Sequence, residues 1–105
     1  MEKIAFKMKL KPGKIAEYKK RHQEIWPALK MLLKLNGVSD YSIFFDEETN
    51  ILFAVQYSTA DGSSSQDLGN NELVKRWWAY MADLMDTHAD HSPVTVRLTQ
   101  VFHMD

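Results

Sequence analysis

The 105-residue sequence contains no cysteine, and this absence excludes several kinds of site. A chain without thiols has no disulfide framework, no thiol nucleophile and no thiolate ligands for a metal ion. Its stability must come from packing, and a chain of about 100 residues buries roughly two thirds of the surface that its unfolded form exposes. We therefore expect a single domain over residues 1–105, and a reducing compartment is allowed.

The sequence also lacks an excess of charge of one sign, because 13 Lys and Arg residues face 14 Asp and Glu residues. A general phosphate-binding surface needs clustered basic residues, so nucleic acid is not expected as a partner. No run of about 18 apolar residues occurs, and the N-terminus has no long apolar core, which argues against a membrane span and a secretory signal. These absences predict a cytoplasmic protein without a membrane partner.

In the first third of the chain, the spacing of apolar residues predicts one strand and two helical segments. Residues 3–10 alternate with a period of two, as a half-buried strand does. After Pro12-Gly13 the spacing changes to three and four, which predicts a helix that Pro27 should break within Gln23–Trp26. Pro27 suits the first position of a second helical segment, and Asn36-Gly37 should end it.

Two further strands are predicted over Val38–Asp46 and Ile51–Tyr57, which are rich in aromatic and β-branched residues. The five polar residues between them have the length of a hairpin connection. The following segment, Ser58–Gly69, is polar and Ser-rich, and its composition predicts a flexible loop.

The last part of the chain predicts a helix and a final strand. Asn70 or Asn71 is a suitable N-cap for a helix that runs to Met85. Val94–Phe102 is interpreted as the last strand. The order β-α-β-β-α-β predicts an α+β, ferredoxin-like fold, in which one antiparallel sheet carries its helices on one face.

Both faces of the predicted sheet carry apolar residues. In the second strand, Tyr41, Ile43 and Phe45 point one way while Phe44 points the other, and the third strand is apolar on both sides. A solvated sheet face is more polar than this. We therefore expect a homodimer in which two sheets close on each other as a dimeric α/β barrel, although the Lys residues of the first strand argue against complete coverage.

Two residues of the first helix are candidates for chemistry. Tyr18 and His22 are four residues apart, so their side chains lie on one helix face. A histidine beside Lys and Arg is more often a surface residue. The apolar neighbours of His22 and the nearby helix break favour the wall of a pocket instead.

Trp77 and Trp78 are adjacent in the helix predicted from Asn70 or Asn71 to Met85, so their side chains point about 100° apart. Two packing aromatics are the commoner outcome, but one indole can also enter a cavity while the other joins the core. Flat rings with a hydrogen-bonding edge suit a sugar, and Tyr41 could join them from the second strand.

Metal and cofactor signals are weak. His88 and His91 lie near two aspartates in a polar loop, but their spacing is poor evidence for a metal site, and we expect none. The sequence has no Gly-rich phosphate loop, no serine nucleophile elbow and no dinucleotide fingerprint. We therefore expect a site that works without a cofactor.

Two blocks of the sequence resemble the L-rhamnose mutarotases. The first is Tyr18–Pro27, with the pattern Tyr-x-x-x-His-x-x-x-Trp-Pro, and the second is Lys75–Met81, which contains Arg-Trp-Trp. Further matches span nearly the whole chain: Asp40–Asp46, Asn50–Ala54, Ser92–Val94 and Val101-Phe102. The segment Ser58–Gly69 is the main departure from the family pattern.

The resemblance implies a small cytoplasmic homodimeric isomerase that interconverts the α and β anomers of L-rhamnose without a cofactor. It implies that His22 is the catalytic proton donor, and it implies substrate-binding roles for four aromatic residues: Tyr18, Tyr41, Trp77 and Trp78. An imidazole can supply the proton that ring opening needs at the sugar's ring oxygen. Two alternatives stay open, namely a cofactor-independent oxygenase of the dimeric α/β barrel class and a non-catalytic sugar-binding module.

Overall fold

A computed structural model describes residues 2–59 and 64–105 as four strands, three α-helices and two 3₁₀ turns. In chain order these are β1 (Glu2–Lys9), α1 (Ile15–Gln23), α2 (Pro27–Leu35), β2 (Val38–Asp46), β3 (Ile51–Ser58), a 3₁₀ turn (Ser65–Asp67), α3 (Glu72–Met81), a second 3₁₀ turn (Ala82–Leu84) and β4 (Val96–Arg97). The strands pair antiparallel in the spatial order β2-β3-β1-β4. This order confirms the α+β, ferredoxin-like prediction.

The sheet has an inner face that carries the helices and an outer face that none of the described helices covers. The inner face of β1 and β3 is buried and joins residues of all three helices in one hydrophobic core. Its strand members are Ile4, Phe6, Met8, Leu52 and Ala54. On the outer face, Phe44 pairs with Phe53, and Lys7 pairs with both Phe53 and Val96.

The predicted break between the first two helical segments is confirmed. Trp26 has extended backbone angles, with φ −60° and ψ 126°, and Pro27 begins α2, where its missing N–H costs nothing. Gly37 follows α2 with φ +86°, a conformation that favours glycine. The chain therefore turns at Trp26, one helical turn beyond His22, and the turn keeps α1 and α2 on the same side of the sheet.

A β-bulge in β2 decides which way Tyr41 points. Ser39 pairs with Tyr57 and Ser42 pairs with Val55, so β2 uses three steps where β3 uses two. The bulge contains Asp40, which has φ +46°. Asp is one of the few non-glycine residues that tolerate such an angle. Without this insertion the side chains that follow would exchange faces, so the bulge puts Tyr41 on the inner face.

Two predicted boundaries are wrong. The last strand was expected over Val94–Phe102, but β4 pairs only at Val96 and Arg97. Beyond it Val101 is 93% exposed and Phe102 79%, so the apolar pattern there is not buried by the chain's own sheet. The other error is at the C-terminal end of α3, which stops at Met81 and continues only as a 3₁₀ turn to Leu84.

The Ser-rich segment is more ordered than its composition predicts. Ser58 ends β3, and Ser64 and Ser65 are buried at the start of the first 3₁₀ turn. The Ser64 hydroxyl accepts from Gln66 N, while Asp67 accepts from Ser64 N at 2.7 Å, which is a capping box. The remainder of the expected loop, residues 60–63, lies outside the described residues.

Candidate functional site

The five residues singled out in the sequence come together in one cleft. Tyr18, His22, Tyr41, Trp77 and Trp78 all line an open cleft of about 750 Å³ between the helices and the inner face of the sheet. The same five residues also line a smaller adjoining pocket of about 40 Å³. Helix α1 supplies the first two, the bulged strand β2 supplies Tyr41, and α3 supplies the tryptophans.

His22, on α1, lies between the aromatic rings of Tyr18 and Trp77. Its ring centroid is 4.4 Å from that of Tyr18, and Trp77 meets it edge to face at 5.4 Å. Nδ1 lies 3.1 Å from the backbone oxygen of Tyr18. Because a carbonyl oxygen only accepts, Nδ1 carries the hydrogen, and neutral His22 has a lone pair on Nε2 for a ligand in the cleft.

Burial sets the charge state of His22. It lowers the pKa of the imidazole below its ordinary value, and the hydrogen bond to the Tyr18 carbonyl opposes this only in part. The ring is therefore mainly neutral at pH 7, with its hydrogen on Nδ1. This is the resting form from which any chemistry at Nε2 must start.

Two further aromatic residues support this side of the cleft. Trp26 meets Trp77 edge to face at 5.1 Å between ring centroids, and Tyr80 lies 5.8 Å from Trp77. Together with Tyr18 and His22 these rings form what we call the aromatic wall: Tyr18, His22, Trp26, Trp77 and Tyr80. Trp78 also lines the cleft but packs on Gly69, where an added Cβ would lie 3.0 Å from the indole.

Arg21 fixes helix α1 against the end of α3. Its guanidinium donates to both carboxylate oxygens of Asp83, at 2.8 and 3.2 Å, and to the backbone oxygen of Tyr80 at 2.6 Å. It also donates to Glu17 within α1 at 2.9 Å. The Arg21 guanidinium holds the pKa of the Asp83 carboxyl below its usual value. These hydrogen bonds hold Arg21, the residue next to His22, against the end of the helix that carries Trp77.

The two tyrosines of the cleft are neutral phenols. Burial raises the pKa of Tyr18, and the nearby Tyr41 raises it further. Burial also raises the pKa of Tyr41, while an interaction with the Ser65 hydroxyl opposes that effect. A neutral phenol both donates and accepts a hydrogen bond, as a sugar hydroxyl does, so both tyrosines suit a polyhydroxylated ligand.

Ser65 and Gln66 line the cleft together with Tyr41, and neither was identified from the sequence. Gln56, fully buried in β3, accepts from Ser65 N at 2.7 Å and donates to Ser65 Oγ at 2.9 Å. Gln66 follows Ser65 and lines both the cleft and the small pocket. We call Tyr41, Gln56, Ser65 and Gln66 the polar wall. The capping pattern Ser64-x-x-Asp67 is the sequence signal that could have located it.

The loop histidines lie apart from this cleft. His88 and His91 belong to a turn in which the two residues share a backbone hydrogen bond, and neither lines the cleft. Over residues 2–59 and 64–105, no three His, Asp or Glu side chains converge as metal ligands would. Within the same ranges, none of the helices has the length and apolar character needed to cross a membrane.

Comparisons with known proteins agree with this geometry. A family model described as L-rhamnose mutarotase matches residues 3–104. The L-rhamnose mutarotase of Bacteroides thetaiotaomicron is 62% identical over 105 residues, with complete coverage of both chains. The crystal structure of an L-rhamnose mutarotase from Formosa agariphila has a TM-score of 0.92 to this chain, at 54% identity and with 100% of each chain covered. A conserved protein from Methanosarcina mazei Go1 shares the fold, with a TM-score of 0.59 at 18% identity over 91% of this chain and 88% of that protein.

Proposed function

The chain belongs to the L-rhamnose mutarotase family of sugar isomerases, and on that premise we propose that it interconverts the α and β anomers of L-rhamnose. In this proposal His22 is the catalytic residue, and Tyr18, Tyr41, Trp77 and Trp78 bind the substrate. The observation that carries the proposal is the position of His22. Its Nδ1 carries the hydrogen, and its ring lines a cleft that the four aromatic residues also line, so Nε2 is the nitrogen left for a ligand.

Mutarotation requires one proton to leave the anomeric hydroxyl and one to reach the ring oxygen. Both oxygens are bonded to C1, so a single nitrogen placed beside C1 can serve them in turn. Neutral His22 takes the hydroxyl proton at Nε2 and becomes an imidazolium. It then gives that proton to the ring oxygen as the bond between C1 and the ring oxygen breaks and the aldehyde forms.

Ring closure on the other carbonyl face completes the reaction. After rotation about the C1–C2 bond, Nε2 takes the proton from the C5 hydroxyl as its oxygen attacks C1, and returns it to the new anomeric oxygen. Atoms and charges balance, His22 ends in its resting form, and no electron is transferred. The aromatic residues hold the apolar C–H faces and the C6 methyl group, while the phenols bind hydroxyls.

The homodimer and the cytoplasmic location expected from the sequence belong to the same proposal. The outer sheet face leaves Phe44 64% exposed and Val96 51% exposed, and Val101 and Phe102 are exposed beyond it. Apolar groups exposed in this way mark an interaction surface, and a second copy would cover them sheet against sheet. Sedimentation equilibrium of the native protein tests this, and a monomer at micromolar concentration would contradict the dimer.

Saturation-transfer NMR on equilibrated L-rhamnose tests the function directly. The native protein should accelerate anomer exchange, and His22→Ala should lower that acceleration by about 10²- to 10⁴-fold, the usual contribution of a positioned acid–base group. His88→Ala is the matched control, because His88 is exposed and lies outside the cleft.

Three outcomes would contradict the proposal. Native protein without accelerated exchange would exclude the mutarotase activity. Full activity in His22→Ala would exclude the role of His22. Binding of L-rhamnose without exchange would favour a non-catalytic sugar-binding module.

A further inference from the structure

The polar wall contains a buried acceptor that has no hydrogen-bond partner within residues 2–59 and 64–105. The side-chain oxygen of Gln66, Oε1, is inaccessible to solvent and receives no hydrogen bond from the described residues. A buried carbonyl left in this state costs about 1–3 kcal/mol, and native proteins keep few of them. Such a group needs a reason, and a ligand that donates a hydrogen bond is one.

The backbone of Gln66 is fixed from two sides. Its N–H donates to Ser64 Oγ at 3.1 Å within the capping box. The preceding residue, Ser65, is anchored to the sheet by its two hydrogen bonds with Gln56. The backbone of Gln66 is therefore held beside the cleft, while its side chain is held only by the 3.3 Å contact between Nε2 and Ser65 Oγ.

Ser65 also fixes which end of the Gln66 amide is the oxygen. Gln66 Nε2 lies 3.3 Å from Ser65 Oγ. Ser65 Oγ accepts from Gln66 Nε2 as well as from Gln56 Nε2, so the Gln66 amide NH₂ faces Ser65 and its carbonyl oxygen has no partner among the described residues.

Gln66 lines the same cleft as the five site residues. It lines both the cleft and the small pocket together with Tyr18, His22, Tyr41, Trp77 and Trp78. A pyranose in contact with these residues would bring its hydroxyls, which are hydrogen-bond donors, to the same space. The aromatic residues offer ring faces and phenols, whereas Gln66 offers a pure acceptor.

We propose that Gln66 is a further substrate-recognition residue: when the sugar binds, the Gln66 amide turns towards the cleft and Oε1 accepts a hydrogen bond from one ring hydroxyl. The proposal rests on the sugar-binding function proposed above and deepens it by naming a selectivity determinant. A site built to pair with a hydroxyl discriminates against an analogue that lacks it, because the buried acceptor then stays unpaired. Gln66 makes the site selective for a sugar that carries a hydroxyl at that position.

The test is a set of binding measurements on native protein, Gln66→Met and the control Gln23→Met. Methionine keeps the length of the side chain and removes the acceptor, and Gln23 is an exposed glutamine on α1. We expect Gln66→Met to weaken L-rhamnose binding by about 3- to 10-fold, the worth of one neutral hydrogen bond, while Gln23→Met changes nothing. The effect should be found in KM rather than kcat.

Two readouts separate recognition from a merely structural role. The melting temperature of Gln66→Met should change little, because the change removes an unpaired buried carbonyl together with only one long hydrogen bond, from Nε2 to Ser65 Oγ at 3.3 Å. Among 2-, 3- and 4-deoxy-L-rhamnose, one analogue should bind native protein and Gln66→Met equally, which identifies the hydroxyl that Gln66 contacts.

The proposal is overturned if Gln66→Met binds L-rhamnose as native protein does. It is also overturned if every deoxy analogue loses the same factor in both proteins, or if weaker binding comes with a lower melting temperature. A native protein that accelerates anomer exchange while Gln66→Met is unchanged refutes this inference alone. A native protein that neither binds L-rhamnose nor accelerates exchange refutes the proposed function.

Discussion

The aromatic wall and the polar wall both contribute residues to the same cleft but are constructed differently. The aromatic wall comes from α1, α3 and the break after α1, and ring contacts of 4.4–5.8 Å hold it together. The polar wall comes from a bulged strand, β3 and a 3₁₀ turn, and hydrogen bonds of 2.7–3.3 Å hold it. The first wall sets the charge and tautomer of an imidazole, and the second presents hydrogen-bonding groups.

This difference indicates that the two walls have different roles in the proposed reaction. Proton transfer needs a group with a fixed tautomer, and burial among rings provides that for His22. Recognition of hydroxyls needs acceptors and donors with defined directions, which a hydrogen-bonded turn provides. Damage that disturbs His22 within the aromatic wall should therefore lower kcat, and damage to the polar wall should mainly raise KM.

Trp77→Ala should have the largest effect on stability. Trp77 is 8% exposed and contacts His22, Trp26 and Tyr80, so the change leaves a cavity in the core of the aromatic wall. We expect the free energy of unfolding to fall by about 3–5 kcal/mol and kcat to fall with it. Urea unfolding measures the first and anomer-exchange NMR the second.

Tyr80→Ala is the comparison for this prediction, because Tyr80 belongs to the same wall but is 46% exposed. Its stability loss should be clearly smaller. Equal losses in the two variants would show that Trp77 is not the centre of the wall.

Gln56→Leu should have the next largest effect, and it acts on the polar wall. Leucine is similar in size but cannot accept from Ser65 N, so a buried donor is left unpaired. We expect the free energy of unfolding to fall by about 1–3 kcal/mol, with KM rising more than kcat falls because Gln66 loses its anchored neighbour.

The exposed Gln100 provides the control for Gln56, and Gln100→Leu should leave both quantities unchanged. If Gln56→Leu lowered kcat and left KM at its native value, the proposed division between the two walls would be wrong.

The smallest expected effect is the pH dependence of kcat/KM, which concerns His22 alone. Because the proposed reaction starts from the neutral imidazole, kcat/KM should be level above pH 6.5. It should decline about tenfold per pH unit below the lowered pKa of His22. Anomer exchange corrected for the uncatalysed rate measures this, and a kcat/KM that rises towards acid pH would show that the resting enzyme donates a proton instead.

The stability contribution of His22 has the same sign. Its folded-state pKa is below the unfolded value of about 6.5, so the unfolded chain binds more protons between these two values. His22 therefore costs stability as the pH falls below 6.5, and the cost stops growing below the folded-state pKa. His22→Ala should lack this part of the pH dependence, which thermal unfolding between pH 4 and pH 8 measures.

Local spacing singled out three members of the aromatic wall, Tyr18, His22 and Trp77, whereas Trp26 and Tyr80 were not identified as site residues. Tyr18 and His22 share a helix face because they are four residues apart, and Pro27 breaks the helix wherever it packs. Trp77 and Trp78 diverge because they are adjacent in a helix. These are properties of short segments, so the sequence was sufficient to identify them.

The polar wall was not predictable in the same way. Gln56 and Ser65 meet across nine residues of chain, and composition alone indicated a flexible loop where Ser64 and Ser65 are buried. The length of β4 was wrong for a related reason. An apolar alternation predicts a strand, but only a neighbouring strand can pair with it, and β1 pairs with β4 at just two residues.

By itself the sequence determined the order of the elements, the helix break at Pro27, the family resemblance and the five candidate residues, because each depends on local pattern. Tertiary structure alone decided that the bulge at Asp40 turns Tyr41 inward, that burial leaves His22 neutral with its hydrogen on Nδ1, and that Gln66 Oε1 has no partner among the described residues. Burial, register and hydrogen-bond satisfaction depend on which distant segments pack together, and the local residue pattern does not determine this packing.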